Sequence, residues 1–385
     1  MEQWKEFKLG DVLTIKYGKD HKQLADGDIP IYGSGGIMRY GERSLYEGPS
    51  ILIPRKGSLN NIMYSDKPFW TVDTMFWTII NEEIANPLFV YYSICKKNFA
   101  SLNVGSAVPS LTVPVIEDVD ILLPSKITQE KIVSVLKSLD DKIEVNRRIN
   151  ENLEQQAQAL FKSWFVDFEP FKDQPFVESE LGTIPQGWRL GCLSNVADII
   201  MGSSPSGSSY NVTGDGDVFY QGRAEFSFRF PRRNMYTTEA KRYADVDSVL
   251  LSVRAPVGDI NVAEERCCIG RGLASVKSNE GNSSYILYLM QSLKPVFDQF
   301  NGEGTVFGSI NKKALEELKI LIAPKEIRDS FEDIANKIDS EIKVLDQESR
   351  CLAELRDTLL PRLMSGELRV TDMDLVNKLT ENNIF

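Results

Sequence analysis

Residues 105–124 have the sequence GSAVPSLTVPVIEDVDILLP, and residues 304–324, GTVFGSINKKALEELKILIAP, repeat its pattern. One constant offset, 304 − 105 = 199 residues, aligns the two stretches and the residues that follow them. It gives these pairs: Gly105 with Gly304, Ser110 with Ser309, Ile121 with Ile320, Leu122 with Leu321 and Leu160 with Leu359. A repeat that occurs only twice is too short for a solenoid, so the pattern predicts two similar lobes.

Two further matches extend the repeat toward the N-terminus of each copy. Residues 4–18, WKEFKLGDVLTIKYG, match residues 188–202, WRLGCLSNVADIIMG, at an offset of 184. Residues 50–62 match residues 248–260 at an offset of 198. Because the offset grows along the chain, the sequence indicates a tandem duplication with small insertions in the second copy.

The residues after each copy have the spacing of an amphipathic helix, with seam positions separated by alternate steps of four and three. The first helix, over 128–168, would be about 60 Å long. We expect it to pair with its duplicate as an antiparallel coiled coil; the alternative is that each helix packs on its own lobe. Asn146 and Asn150 interrupt the seam. The predicted apolar seam positions are Ile132, Leu139, Ile143, Leu153, Ile338, Ile342, Leu345 and Leu352.

The predicted fold is therefore α+β, with two similar globular domains joined by two long antiparallel helices in a pseudo-two-fold arrangement. Strands are predicted at 50–54, 75–79, 120–123, 248–253, 273–276 and 319–322, and shorter helices at 87–97 and 283–293. The glycine-rich stretches 32–48 and 201–217 are predicted to be long loops. The predicted boundaries are 1–125 for the first lobe, 126–172 for the first long helix, 173–324 for the second lobe, 325–366 for the second long helix and 367–385 for a tail.

The composition limits the classes of function. The chain has 385 residues, 42% of them hydrophobic, and a net charge of −11. Its five cysteines show no CxxC spacing, which favours reduced thiols and a cytoplasmic location, and no apolar run of about 18 residues predicts a membrane span. The single histidine, His21, excludes a His-rich metal site, and we predict no metal site.

Basic residues concentrate locally despite the acidic balance. Residues 220–244 contain six basic residues interleaved with aromatics, a composition suited to phosphate and base-edge contacts; the alternative is a solvated surface hairpin. The predicted DNA-binding residues of the second lobe are Tyr220, Arg223, Arg229, Arg232, Arg233 and Arg254. Those of the first lobe are Lys19, Lys22, Arg39, Arg43, Arg55, Lys56 and Asn60.

Enzyme motifs are incomplete. IYGSG at 31–35 has the glycine spacing of an S-adenosylmethionine turn, but no helical pattern follows it. NPLF at 86–89 lacks the second proline of the amino-methyltransferase motif, and no GxxxxGK[ST] loop for ATP is present. We expect a binding protein without catalytic residues, and a nucleic-acid methyltransferase is the enzymatic alternative.

The repeated stretch, together with LFKSWFVDFEPF at 160–171 and LLPRLMSGELRV at 359–370, resembles the specificity subunit of type I DNA restriction–modification enzymes. The resemblance implies two target recognition domains, each of which recognises one half of a bipartite double-stranded DNA sequence, with the helices as a spacer. It also implies two methyltransferase subunits and restriction subunits as partners. S-adenosylmethionine, ATP and magnesium would be bound by those partners, and this chain would carry no cofactor.

The aromatic residues at the end of the first helix exceed what a two-helix seam needs. We expect Phe161, Trp164, Phe165 and Phe168 to contact a methyltransferase subunit. The alternative is a local core that caps the coiled coil. The main competing function is that of a protein-interaction scaffold with tandem binding lobes.

Overall fold

The computed structural model describes residues 4–180, 182–301 and 308–370. The chain divides into two compact units. Unit 1 comprises Met1–Val145 and Glu348–Phe385, and unit 2 comprises Asn146–Gln347. The predicted tail, 367–385, lies mostly outside the described residues.

Unit 1 begins with a lobe of short strands and small helices. Its elements are β1 (Lys5–Lys8), α1 (Leu9–Val12), β2 (Leu13–Tyr17), β3 (Ile29–Gly33), β4 (Gly36–Gly41), β5 (Ser50–Pro54), β6 (Met63–Ser65), β7 (Trp70–Thr71), β8 (Met75–Ile80), α2 (Pro87–Ile94), α3 (Val113–Glu117) and β9 (Asp120–Leu123). The long helix α4 (Lys126–Phe165) starts in unit 1, and its residues from 146 onward belong to unit 2.

Unit 2 contains the second lobe. Its elements are β10 (Phe176–Ser179), β11 (Gly182–Pro185), β12 (Arg189–Cys192), β13 (Ala197–Met201), β14 (Tyr210–Asn211), β15 (Asp217–Tyr220), β16 (Tyr236–Thr237), β17 (Tyr243–Ala244), β18 (Val249–Ser252), β19 (Ile260–Val262), β20 (Cys267–Ile269), β21 (Leu273–Ser278), α5 (Ser283–Ser292), α6 (Lys294–Gln299), α7 (Lys312–Glu316) and β22 (Lys319–Ile322). The second long helix, α8 (Lys325–Met364), starts in unit 2, and its residues from 348 onward belong to unit 1.

The two lobes share the topology of their main sheets. Each has an antiparallel four-stranded sheet, in the order β2-β8-β5-β6 in unit 1 and β13-β21-β18-β19 in unit 2. Each also pairs the two strands that flank it in sequence, β1 with β9 and β12 with β22. A parallel pair occurs in a further sheet of each lobe, β3 with β7 and β15 with β20, although this sheet has three strands in unit 1 and five in unit 2. The repeat in the sequence is thus a repeat of the fold.

One glycine in each copy has a steric role at the same place. A Cβ on Gly18 would lie 2.0 Å from the Val72 carbonyl oxygen, and a Cβ on Gly202 would lie 2.1 Å from that of Gly270. Any larger residue would push the two backbone segments apart. This explains why the matched stretches 4–18 and 188–202 both end in glycine.

Each lobe shares its hydrophobic core with the parts of α4 and α8 that belong to the same unit. In unit 1 the core includes Phe89 of α2, Leu136 of α4 and Leu363 of α8. In unit 2 it includes Tyr285 of α5 and Phe331 of α8. Both helices therefore bury an apolar stripe against their lobe as well as against each other.

The predicted seam positions differ in burial. Ile132, Ile342 and Leu345 are buried, and so are Asn146 and Asn150. Asn146 donates a hydrogen bond of 3.5 Å to the Leu345 carbonyl of the facing helix. The remaining seam positions are half-buried: Leu139, Ile143, Leu153, Ile338 and Leu352.

Some boundaries differ from the prediction. α4 ends at Phe165, whereas the predicted segment extends to 172, and Phe168, with a left-handed φ of 56°, prevents a continuous helix to that point. The predicted loop over 32–48 contains the hairpin β3–β4, since only Ser34 and Gly35 are needed to turn the chain. Among the described residues, no helix is both long and apolar enough to cross a membrane.

Candidate nucleic-acid interface

In unit 1, three loops meet at the end of the buried central strand β5. Leu111 donates a backbone hydrogen bond of 2.9 Å to the Arg55 carbonyl, and Lys56 forms an isolated antiparallel bridge with Ser110. Asn61 donates a hydrogen bond of 2.8 Å to the Ser34 carbonyl at the turn of the β3–β4 hairpin. Lys56 is exposed where these loops converge.

Two predicted arginines of unit 1 stack on aromatic rings. The Arg55 guanidinium lies 5.4 Å from the centroid of the Tyr17 ring, and that of Arg43 lies 5.7 Å from the Trp70 ring. Stacking holds an arginine in place and leaves its N–H groups available for other acceptors. Lys19 and Lys22 are exposed on the loop that follows β2.

Two other predicted residues of unit 1 have structural roles. Arg39 donates a hydrogen bond of 2.5 Å to the Leu24 carbonyl, and its Nη2 lies 3.5 Å from Asp26 Oδ1. Asn60 accepts a hydrogen bond of 2.8 Å from the Ala100 backbone. Arg39 and Asn60 therefore link loops within the lobe, and their contact with DNA stays a prediction.

Exposed apolar side chains lie on two sheets of unit 1, on β2 and on β4, and the sequence did not predict them. Tyr17 is 55% exposed, and Ile37, Met38 and Tyr40 of β4 are also exposed. Exposed large apolar side chains that cluster are typical of a binding face, and those of β4 are the candidates in this unit. Their only signal in the sequence is the run Ile37-Met38 after the glycine pair, within a stretch that was interpreted as a loop.

Arg229 of unit 2 is wrongly predicted to bind DNA. It is 3% exposed, donates a hydrogen bond of 2.7 Å to Asp339, forms an ion pair with Glu154 and lies 3.1 Å from the Tyr288 hydroxyl oxygen. Burial alone would lower the pKa of Arg229, but Tyr288 and the two carboxylates raise it above its ordinary value. Arg229 joins its loop to α4 and α8 and cannot contact DNA.

Tyr220 is also wrongly predicted to bind DNA. It is 3% exposed and packs in a core cluster with Val218, Leu250 and Ile269. Burial raises the pKa of its hydroxyl. Its aromatic side chain is required inside the sheet, so the basic-aromatic pattern over 220–244 mixes core rings with surface cations.

The other predicted cations of unit 2 lie on the surface. Arg223 pairs with Asp259, and the Arg233 Nε lies 2.8 Å from Glu265 Oε1, so the charges of both are partly compensated. Arg232 and Arg254 are exposed. Arg254 forms an isolated antiparallel bridge with Ser309.

The aromatic residues at the end of α4 form a local core. The ring centroids of Phe161 and Phe331 are 5.7 Å apart, and those of Phe165 and Trp188 are 5.8 Å apart. Phe161 and Phe165 are buried. The prediction that these two contact a partner subunit is wrong, because the second lobe already covers them.

The other two aromatic residues of this group are half-buried and pack against the same core. Trp164 lies 6.1 Å from Phe331 between ring centroids, and Phe168 lies 5.2 Å from Trp188. A partner could reach only their outer edges. They support the alternative of a cap for the helix pair.

Two features of the described residues concern metal binding and thiol chemistry. No cluster of three or more His, Cys, Asp or Glu side chains in this part of the chain is arranged to hold a metal ion. Burial raises the pKa of the Cys95 thiol to about 11 and that of Cys267 to about 12, which suppresses their nucleophilic thiolate forms.

Comparison with known protein families assigns both lobes. The model of the type I restriction modification DNA specificity domain matches residues 1–155 and 185–350. The chain belongs to this family. Each of the two matched segments contains one lobe and part of a long helix, in agreement with the duplication of the fold.

Similar curated proteins are members of the same family of specificity subunits. The putative type I restriction enzyme MjaX specificity subunit of Methanocaldococcus jannaschii is 31% identical over 373 residues, covering 94% of this chain and 84% of the relative. The type I restriction enzyme HindI specificity subunit of Haemophilus influenzae is 24% identical over 461 residues, covering 96% and 100%.

A solved specificity subunit has the same fold. The S subunit of a type I restriction–modification system from M. genitalium superposes with a TM-score of 0.63 at 14% identity. The superposition covers 94% of this chain and 96% of that chain. At this identity the likeness concerns the fold alone.

Proposed function

We propose that this chain is the DNA specificity subunit of a type I restriction–modification enzyme, and that each unit recognises one half of a bipartite target. The observation that supports the proposal is one sheet topology used twice, with family matches over both copies. The recognition domains would be residues 1–125 and 173–324. Loops that differ between the copies would distinguish bases, whereas the shared elements would support them.

The surface cations would contact the DNA backbone in each half-site. In unit 1 these would be Lys19, Lys22, Arg43, Arg55 and Lys56, and in unit 2 Arg223, Arg232, Arg233 and Arg254. Phosphate contacts set the position of a protein on the duplex without reporting its sequence. The net charge of −11 suggests that partner subunits supply further contacts to the backbone.

The helices α4 and α8 would form an antiparallel coiled coil with pseudo-two-fold symmetry and act as the spacer between the recognition domains. Contacts within each unit support this pairing. In unit 1, Arg356 lies 2.7 Å from Asp140, and Lys142 lies 3.2 Å from Glu348. In unit 2, Asn146 bonds to the Leu345 carbonyl. Residue numbers that rise on one helix fall on the other, which is the signature of antiparallel packing.

Catalysis would belong to partner subunits. Two methyltransferase subunits would bring S-adenosylmethionine, and restriction subunits would bring ATP and magnesium, in the cytoplasm. The chain itself would act without a cofactor. This division agrees with the raised pKa values of the Cys95 and Cys267 thiols, and with the single histidine, His21, in the whole sequence.

The test is DNA binding by the chain in complex with its methyltransferase subunits. A duplex that carries the methylated sequence of the host genome is compared with a scrambled duplex of equal length, over a range of salt concentrations. We expect preference for the first duplex and a linear fall of the logarithm of affinity with the logarithm of salt concentration. Equal affinity for both duplexes, or none for either, would refute the proposal and favour a protein-binding scaffold.

A further inference from the structure

Lys56 and Arg254 occupy the same backbone position in the two units. Each follows the buried central strand of its lobe, β5 in one case and β18 in the other, at the offset of 198 that aligns these strands (56 + 198 = 254). Each forms an isolated antiparallel bridge with the serine of the repeated stretch, Ser110 and Ser309. The serine of the repeated stretch therefore pairs with one cation in each lobe.

The hydrogen bonds around this position are also duplicated. In unit 1, the Arg55 N–H donates to the Thr74 carbonyl at 2.8 Å, and the Leu111 N–H donates to the Arg55 carbonyl at 2.9 Å.

In unit 2, the Val253 N–H donates to the Gly272 carbonyl at 2.9 Å, and the Ile310 N–H donates to the Val253 carbonyl at 3.1 Å. Two neighbouring backbone segments, one before and one after it in the hydrogen-bond network, thus hold the residue before the cation in each unit. These bonds fix the backbone position of the cation, and its side chain stays exposed.

From this duplication, and on the basis of the proposed function, we infer that Lys56 and Arg254 are equivalent phosphate anchors, one for each half-site. Both side chains are exposed, and within the described part of the chain neither forms a hydrogen bond or an ion pair with the protein. Two neighbouring cations differ in this respect, because Arg55 Nη1 donates a hydrogen bond of 3.3 Å to the Asp73 carbonyl and Arg223 pairs with Asp259.

The chemistry of the pair favours phosphate over a base edge. One copy has lysine and the other arginine at an identical backbone position. The two are not interchangeable in bidentate base recognition, but either cation binds a phosphate. A position that is held by the repeated scaffold, and not by a variable loop, also suits a contact that carries no sequence information.

The test uses Lys56→Gln and Arg254→Gln in the complex with methyltransferase subunits. Each substitution should weaken binding to the target duplex and to a scrambled duplex by the same factor. Each should also reduce the salt slope, the slope of the logarithm of affinity against the logarithm of salt concentration, by about 0.9. The double variant should show about twice that reduction. The controls are Lys97→Gln in unit 1 and Lys319→Gln in unit 2. Each removes one exposed cation and should leave the salt slope unchanged.

The outcomes separate this inference from the proposed function. The unmodified complex could prefer its target while Lys56→Gln and Arg254→Gln retain the full salt slope. That result would refute the phosphate contacts of Lys56 and Arg254 and leave the proposed specificity function intact. If either variant changes the methylated sequence, the residue contacts bases and the inference is equally wrong. If the unmodified complex shows no preference, the proposed function itself fails.

Discussion

The Tyr288 hydroxyl donates a hydrogen bond of 2.6 Å to the carboxylate of Asp339, and both side chains belong to unit 2. Unit 1 contains the equivalent pair, in which Tyr92 donates to Asp140 at 2.5 Å (140 + 199 = 339). In both units a tyrosine of a short helix is thus bonded to an aspartate of a long helix.

The cation that compensates this aspartate comes from a different place in each unit. Arg356 of α8 lies 2.7 Å from Asp140, whereas Arg229 of a loop lies 2.7 Å from Asp339. The first-copy counterpart of Arg356 is Ala157, which is fully buried (356 − 199 = 157). The loop that contains Arg229 thus supplies unit 2 with a charge that α4 lacks at Ala157.

Arg229→Ala should lower the free energy of unfolding by about 3–5 kcal/mol, because it leaves the half-buried carboxylates of Glu154 and Asp339 without their cation. Arg232→Ala, three residues along the same loop and exposed, should change it by less than about 0.5 kcal/mol. Denaturant unfolding of the two variants checks this. Equal stability of both variants would show that the buried ionic cluster is not formed.

Tyr92→Phe should lower the free energy of unfolding by about 1.5–3 kcal/mol, since it removes a hydrogen bond to a charged acceptor in a buried setting. Tyr288→Phe should have an effect of similar size if the two pairs are equivalent. Tyr40→Phe is the matched control because Tyr40 is 50% exposed. The account of the duplicated pair would be contradicted if only one of the two buried variants lost stability.

Phe165→Ala should destabilise the chain by about 3–5 kcal/mol, because Phe165 is in the core of unit 2 between Trp188, Tyr285 and Phe331. The adjacent Val166→Ala should have little effect, since Val166 is 51% exposed. Thermal unfolding measures both. A stable Phe165→Ala variant that failed only to bind methyltransferase subunits would restore the prediction that the structure corrects.

Thiol reactivity should follow burial and pKa. Burial raises the pKa of Cys95 to about 11 from an ordinary 9.0, so at pH 8 this thiol stays protonated and becomes reactive only as the pH approaches 11. Cys351 is exposed and should be alkylated first by iodoacetamide at pH 8, as followed by peptide mass spectrometry. Alkylation of Cys95 or Cys267 at the same rate in the folded chain would contradict the described burial.

The sequence correctly predicted those strands and helices whose periodicity or capping residues lie within the element or directly beside it. The strands at 50–54, 120–123 and 319–322 coincide with β5, β9 and β22, and Asn86-Pro87 starts α2 as expected. The Asn86 side chain accepts hydrogen bonds from Leu88 and Phe89, which is the capping that this residue type provides.

The site was less predictable because the environment of a charged side chain depends on distant segments. Arg229 and Arg232 differ by three positions, yet only Arg229 meets carboxylates of α4 and α8, 75 and 110 residues away. Nothing in the loop itself distinguishes a buried arginine from an exposed one. The equivalence of Lys56 and Arg254 likewise required the paired strands to be known, although the repeat offset pointed to it.

The most direct test of the central claim, that each unit recognises one half of a bipartite target, is to exchange one lobe and sequence the methylated adenines. Residues 180–320 are replaced by the corresponding segment of a relative with a different target, in cells that contain the methyltransferase subunits. The account predicts that one half of the methylated sequence changes while the other half is retained. An unchanged methylation pattern, or one altered in both halves, would contradict it.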